Sequence, residues 1–289
     1  MYYRGSVFDI RKHPESSRPH ASILAHDRPA VIVSNDDDNI SMSLSTVAVV
    51  PRSTLGEQVS YSFVAEEFRQ EWVFSPKGEA GCNKDAVFDC RYVLRVDKIN
   101  HPSSQAARDS ETVGELVHSP RGKLSSQRLQ QVDQALIAAL KPTSISADEP
   151  PVQTGTSSRR HSWRRGSFLK IFVNGDKKAP QLLVIISNDE VRFRTTPNFS
   201  AYPNLATICY LDELPEDRPD PSGLTVVRLE VDFREKRYVA FDWKIRTINL
   251  AKEKPVAQLN GCGRVLRFRE DQMSKIADGV FRSLGVKTK

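Results

Sequence analysis

RPAVIVSND, from Arg28 to Asp36, and QLLVIISND, from Gln181 to Asp189, are the stretches whose reading decides the fold. Each is an apolar strand running into an Asn/Asp turn. The likeness extends outward on both sides. YRGSVFDI from Tyr3 is answered by RRGSFLKI from Arg164, a short strand opening after Arg-Gly-Ser. YVLRVDKIN from Tyr92 is answered by KIRTINLAK from Lys244, with the alternation Val93, Arg95, Asp97 matched by Ile245, Thr247, Asn249. Near each end, Leu129, Val132, Leu136 and Leu140 share their spacing with Met273, Ile276, Val280 and Leu284, which sets one apolar face on a terminal helix. Matched elements in one order imply an internal duplication; the competing reading is two unrelated small β-rich domains.

Short strands, turns and a terminal helix in each copy predict a β-rich α+β class, with a compact β-barrel and packed helix in each half. Between them TSISADEPPVQTGTSSRRHSW, residues 143 to 163, is polar and rich in Ser, Thr and Pro, the composition of a linker. Fully extended, it reaches about 70 Å, enough to let the flanking domains dock in almost any orientation. The expected domains are therefore 1 to 142 and 164 to 289.

At 39% hydrophobic and 27% charged, the composition is that of an ordinary soluble protein. No apolar run approaches the roughly 18 residues of a membrane span, and the alternating start MYYRGSVFDIRKH is unlike a secretory signal, so the expected address is cytoplasmic. Cys82, Cys90, Cys209 and Cys262 lie far apart with no CxxC pair, which predicts buried free thiols rather than a zinc knuckle or a disulfide framework. The net charge of +6 is compatible with a nucleic-acid partner. Residues 1 to 142 hold 17 Lys+Arg against 18 Asp+Glu, leaving 42 − 17 = 25 against 36 − 18 = 18 for the remainder. The basic excess lies wholly in the second half and the segment leading into it.

GSVFDI, RPAVIVSND, VAVVPRST, KDAVFDCRYVLRVDKI and GKLSSQRLQQVDQAL, in that order, resemble the MazF/PemK (Kid) family of toxin endoribonucleases over nearly all of residues 1 to 142. Residues 164 to 289 resemble it through the scaffold alone, best in KIRTINLAK and the terminal helix. The resemblance implies an SH3-like barrel with a C-terminal helix, homodimeric relatives, cofactor-free and metal-free cleavage of single-stranded RNA, and an acidic antitoxin partner. It places the catalytic arginine on Arg28 and the catalytic hydroxyl, usually Thr, on Ser53, with Thr54 beside it. The family's RNA-contacting Gln and Arg fall on Tyr92 and Leu94 in the first copy, and that Arg is kept as Arg246, in the strand opened by Lys244, in the second. In the second copy Gln181 replaces Arg28, and the carboxylates Asp212 and Glu213 replace the hydroxyls. That copy therefore reads as a non-catalytic partner, and the whole chain as an intrachain pseudo-dimer with one active site.

The residues support this chemistry in their own right. RNA cleavage without a metal needs help removing the 2′-OH proton, stabilisation of the phosphorane and a proton for the leaving 5′-oxygen. A guanidinium fork fits two phosphate oxygens and stays charged at any working pH, so Arg28 is cast as charge stabiliser and leaving-group donor. Ser53 and Thr54 donate to the same phosphate, or else merely form a strand-to-loop turn. His26 is the candidate base because its ordinary pKa lies near neutrality; its alternative is a solvated loop histidine. Arg52 adds a cation beside Ser53. Asp36, Asp37 and Asp38 read as a solvated acidic turn rather than a metal cluster. In SSRRHSWRRGS, Trp163 interleaves with Arg159, Arg160, Arg164 and Arg165, a pattern for guiding RNA or for a soluble linker. Two other functions stay open: an inactive RNA- or antitoxin-binding module of the same fold, and a CcdB-like gyrase poison, for which the tail SLGVKTK lacks the apolar or aromatic end.

Overall fold

The computed structural model describes residues 2–13, 27–41, 44–54, 70–98, 112–141, 163–172, 180–189, 192, 204–231 and 234–287. Most of the expected linker, together with His26, Arg159 and Arg160, lies outside them. Among the described residues no helix is long and apolar enough to cross a membrane.

The first half is built on strands β1 (Ser6–Lys12), β2 (Arg28–Ile32), β3 (Thr46–Thr54), β4 (Trp72–Ser75), β5 (Ala86–Asp89), β6 (Leu94–Asp97) and β7 (Gly114–Lys123). They join in the order β2-β1-β7-β6-β3-β5-β4, and a further β2–β3 pairing closes the first five into a barrel. Closure explains why AVIV carries no polar residue. Ala30 and Ile32 face the barrel interior with Phe8, Ile10, Val47, Val49, Leu94 and Val96. Val31 and Val33 face outward into a second core, with Val7, Ala48 and Val50. A strand covered on both faces has no side left for water. That second core is roofed by helix α2 (Ser126–Leu140), which follows a short α1 (Asp36–Ile40) and buries Val132, Ala135, Leu136, Ala139 and Leu140. Ser125 starts α2 by accepting from the Arg128 amide, so one otherwise orphaned donor is satisfied.

In the second half, strands β8 (Phe168–Ile171), β9 (Gln181–Ile185), β10 (Leu205–Leu214), β11 (Thr225–Val231), β12 (Arg234–Asn249) and β13 (Val256–Ala257) form one sheet in the order β11-β12-β10-β9-β8-β13. The expected second barrel is not closed among the described residues. Asn249 caps helix α3 (Leu250–Glu253) immediately after β12, and the two-residue β13 that follows pairs with β8 instead of β12. Strand β12 does in one piece what β5 and β6 do separately: residues 237–241 and 245–249 both pair with β10, across a bulge at Cys209/Tyr210. Helix α4 (Glu270–Ser283) buries Met273, Ile276 and Val280, with Leu284 at its end.

One core runs through both halves. It holds Val31, Phe88 and Leu136 together with Val184, Phe281 and Leu284. The contacts between halves are reciprocal. The Asn35 amide donates to the Ser283 carbonyl at 2.9 Å, and the Asn188 amide to that of Ala139 at 2.9 Å. Arg4 Nε donates to the Leu284 carbonyl at 2.7 Å, and Arg165 Nη1 to that of Leu140 at 2.5 Å. Each Ser-Asn-Asp turn and each Arg-Gly-Ser arginine thus satisfies carbonyls that the last turn of the opposite helix leaves without intrahelical partners.

Cys82, Cys90 and Cys209 are buried as expected, but Cys262 is exposed. It lies in an exposed turn where the Asn260 side chain accepts from the amides of Cys262 and Arg264, so the turn is held by its own bonds and offers the thiol no core to enter.

Candidate active site

Arg28 is the first residue of β2 and Ser53 the penultimate residue of β3. The antiparallel register Ala30↔Pro51, Val31↔Val50, Ile32↔Val49 carries Arg28 opposite Ser53. Both side chains continue the rows that fill the barrel, Arg28 above Ala30 and Ser53 beyond Val49, so they meet at its mouth. Arg28 Nη1 donates to Ser53 Oγ at 3.0 Å. Tyr92, two residues before Leu94 on the same face, packs on the barrel core and is close enough to act electrostatically on Arg28.

Burial lowers the Arg28 pKa from its ordinary value, and Tyr92 partly offsets this. The guanidinium remains a cation at any working pH. Its Nε is buried and meets no acceptor among the described residues. A desolvated cation with an uncommitted donor, one end fixed by a hydroxyl, is suited to charge that develops on a phosphoryl group.

The matching place in the second half is built from the same register. Ile208↔Ile185 and Leu211↔Leu182 carry Gln181 opposite Asp212, and Ile171↔Gln181 repeats Ile10↔Arg28. An amide and a carboxylate stand where the first half has a guanidinium and a hydroxyl. Gln181 Oε1 is buried without a partner among the described residues.

No family model matches the chain, and no curated protein matches it. Solved structures match it over about half its length. An endoribonuclease in complex with its cognate antitoxin, from mycobacterial species, is 15% identical with a TM-score of 0.30, covering 49% of this chain and 98% of that one. Another endoribonuclease from mycobacterial species is 14% identical, TM-score 0.27, covering 47% and 88%. The Mycobacterium tuberculosis toxin MazF-mt6 is 14% identical, TM-score 0.29, covering 46% and 93%.

The other residues expected at an RNA site are dispersed. Arg52 points away from Ser53 and is 6% exposed; its Nε donates to Ser75 Oγ at 3.0 Å and its Nη2 to the Ser75 and Lys84 carbonyls, tying β3 to β4 and to the turn before β5. Arg246 is 1% exposed, with Nη1 and Nη2 on the Glu253 carboxylate at 3.1 and 2.8 Å and Nε on the Tyr210 hydroxyl at 2.8 Å. Burial opposes its charge, but Tyr210 and Glu253 outweigh burial and raise its pKa. Its donors are committed inside the fold. Lys244 lies over the Tyr210 ring, 5.1 Å from the centroid. Arg165 is held by the Leu140 and Ile186 carbonyls, and Trp163 is buried against the β8–β10 core, whereas Arg164 is exposed. The Thr54 side chain and His26 lie outside what is described. Asp36, Asp37 and Asp38 form the first turn of α1, where Asn35 caps the Asp38 amide at 2.7 Å and Asp36 accepts from the Arg4 amide.

The sequence reading missed Arg91. It makes a paired contact with Asp89 at 2.8 and 2.5 Å and lies 5.3 Å from the Trp72 ring and 5.9 Å from the Tyr92 ring. The only signal was the Asp-x-Arg spacing of DCRY, which says nothing of the Trp72 brought in by β4.

Proposed function

We propose that the chain is a metal-free endoribonuclease of the toxin type, cutting single-stranded RNA at the mouth of the first barrel. The observation that carries this reading is the half-buried Arg28 guanidinium bonded to Ser53 Oγ. The 2′-oxygen attacks phosphorus and the bond to the 5′-oxygen breaks, giving a 2′,3′-cyclic phosphate and a free 5′-hydroxyl. Arg28 binds the non-bridging oxygens as charge accumulates and donates toward the departing oxygen; Ser53 holds the guanidinium and donates to the same phosphate. His26 is the proposed base for the 2′-hydroxyl. Residues 164 to 289 act as a non-catalytic second copy that completes a pseudo-dimer, a reading supported by the reciprocal contacts of Asn35 with Ser283 and Asn188 with Ala139, and of Arg4 with Leu284 and Arg165 with Leu140. An acidic antitoxin is the proposed cognate partner, and the cytoplasm the proposed address.

The test is cleavage of a long single-stranded RNA in EDTA, with mapped ends, by the wild type, Arg28→Ala and Gln181→Ala. The expected result is cutting that Arg28→Ala abolishes and Gln181→Ala preserves. A wild type that binds RNA or an antitoxin without cutting would make the chain a binding module, the reading favoured by Tyr92 and Leu94 standing where relatives carry RNA-contacting residues.

A further inference from the structure

The turn between β5 and β6 brings Tyr92 beside Arg28, yet residues 91–93 belong to no strand. Their own half holds them by local bonds: the Tyr92 amide donates to the Asp89 carbonyl at 3.1 Å and the Arg91 amide to Asp89 Oδ1 at 3.2 Å. Further bonds to this backbone come from the other half. The Thr247 amide donates to the Val93 carbonyl at 2.7 Å, and the Val93 amide donates to Thr247 Oγ1 at 3.0 Å. The Arg91 carbonyl lies 3.3 Å from Thr207 Oγ1 and 3.2 Å from Thr247 Oγ1, and the two hydroxyls are 3.1 Å apart. Thr207 and Thr247 face each other across the β10–β12 ladder and are each 1% exposed. This threonine pair therefore grips the backbone on both sides of Tyr92.

Among the described residues the hydroxyl pair has no counterpart in the other direction. By register, the places of Thr207 and Thr247 in the first half belong to Ala48 and Arg95. Alanine has no hydroxyl to offer, and Arg95 donates to Thr46 Oγ1 at 2.5 Å, within its own barrel. The hydroxyl pair thus sits in the half that lacks an Arg–Ser site and reaches into the half that has one.

We infer that Thr247, assisted by Thr207, is a positioning residue for the Arg28 site: it fixes the 91–93 turn, so that Tyr92 and the neighbouring Arg91 present their side chains to RNA bound at Arg28. The inference rests on the endoribonuclease reading. It assigns the second half a part in the reaction that requires no catalytic group of its own. A stacked ring and guanidinium suit an unpaired base, so the geometry bears on which nucleotide sits next to the scissile phosphate.

The test compares full-length Thr247→Val, which keeps the shape and removes the hydroxyl, with Thr247→Ser, which keeps the hydroxyl. Three quantities are read: kcat and KM on single-stranded RNA in EDTA, hydrogen exchange of the Val93 amide, and the denaturation midpoint. The expected result for Thr247→Val is faster Val93 exchange and a kcat lower by on the order of tenfold to a hundredfold, the scale on which misplacement of a site costs rate. Thr247→Ser restores both. Unchanged kcat in a folded Thr247→Val, or a loss that serine does not rescue and that follows the denaturation midpoint, would overturn the assignment. Should Thr247→Val fail to fold, Thr207→Val removes one hydroxyl from the Arg91 carbonyl and is judged by the same criteria. If the wild type cuts no RNA, the endoribonuclease reading falls by itself, and Val93 exchange in Thr247→Val still decides whether the grip exists.

Discussion

At the scale of single residues, one guanidinium and one carboxylate are placed where burial changes what they do. Arg28 loses solvent and keeps Ser53, so the shape of its donor fork matters as well as its charge. Lysine retains the charge as a flexible point and cannot hold Ser53 Oγ and a phosphate oxygen in one plane. Arg28→Lys is therefore expected to lower kcat by at least about a hundredfold, with the denaturation midpoint nearly unchanged; retention of more than a tenth of the activity would remove the fork from the mechanism. Asp242 shows the opposite use of burial. Desolvation pushes its pKa up to about 6, although the Thr225 hydroxyl and Arg282 pull it down. It occupies the place that Cys90 holds in the first half and lies so close to α4 that a Cβ on Gly279 would overlap its carboxylate. A folded pKa above the unfolded value of 3.8 means that the fold holds the proton more tightly, so stability is greatest below 3.8 and is lost as pH rises toward about 6. Asp242→Asn keeps a hydrogen-bond partner for Thr225 without the charge. It is expected to flatten the stability profile between pH 4 and 6 and to add roughly 1–2 kcal/mol at pH 7, measured by urea denaturation across that range.

At the scale of elements, the parts legible in the sequence were those set by apolar spacing. The row Val132, Leu136, Leu140 and the row Met273, Ile276, Val280 were readable because a helix buries whatever recurs every three or four residues. Arg28 and Ser53 were marked by the family resemblance of RPAVIVSND and VAVVPRST and not by any period; the register of β2 and β3 then accounts for their meeting at one end of one barrel. KIRTI was misread for a physical reason: its alternation sets Arg246 on the face of β12 that carries Ile248, but nothing in a strand's period reveals that α3 will bring Glu253 to meet it. That the second sheet is not closed among the described residues was hidden in the same way, because it follows from Asn249 capping α3 directly after β12 and from β13 pairing with β8. The buried ion pair gives this difference an energetic test. Glu253→Gln strips the carboxylate from a buried guanidinium and is expected to cost about 3–5 kcal/mol. Arg246→Met combined with Glu253→Gln removes the uncompensated charge and should recover most of that loss, with RNA affinity unchanged in the double variant. A double variant that folds well but loses RNA binding would return Arg246 to the RNA surface.

At the scale of the molecule, the halves share one core and exchange helix-end contacts, so neither has a finished surface of its own. Phe88, Val132 and Leu136 from the first half lie in the same cluster as Phe168, Val280 and Phe281 from the second. Removing residues 164 to 289 would bare that apolar face, strip the Asn188 amide from the Ala139 carbonyl and leave the Leu140 carbonyl without Arg165. An apolar face of that kind does not stay in water unpaired. The fragment 1 to 142 is therefore expected to aggregate or to self-associate, and to return to a soluble one-to-one species when 164 to 289 is expressed beside it, as read by size-exclusion chromatography with light scattering. Activity separates the two roles the second half can play. If it only covers the face, a self-associated fragment 1 to 142 should cut RNA as fast as the intact chain, because a second first half can cover the same face and carries its own Arg28 and Ser53. If it also holds the turn at Tyr92, the fragment should be slow even when soluble, because Ala48 and Arg95 stand where Thr207 and Thr247 are needed, and adding 164 to 289 in trans should restore the rate. A monomeric fragment as active as the whole chain would exclude both roles and, with them, the reading of the chain as two interdependent copies.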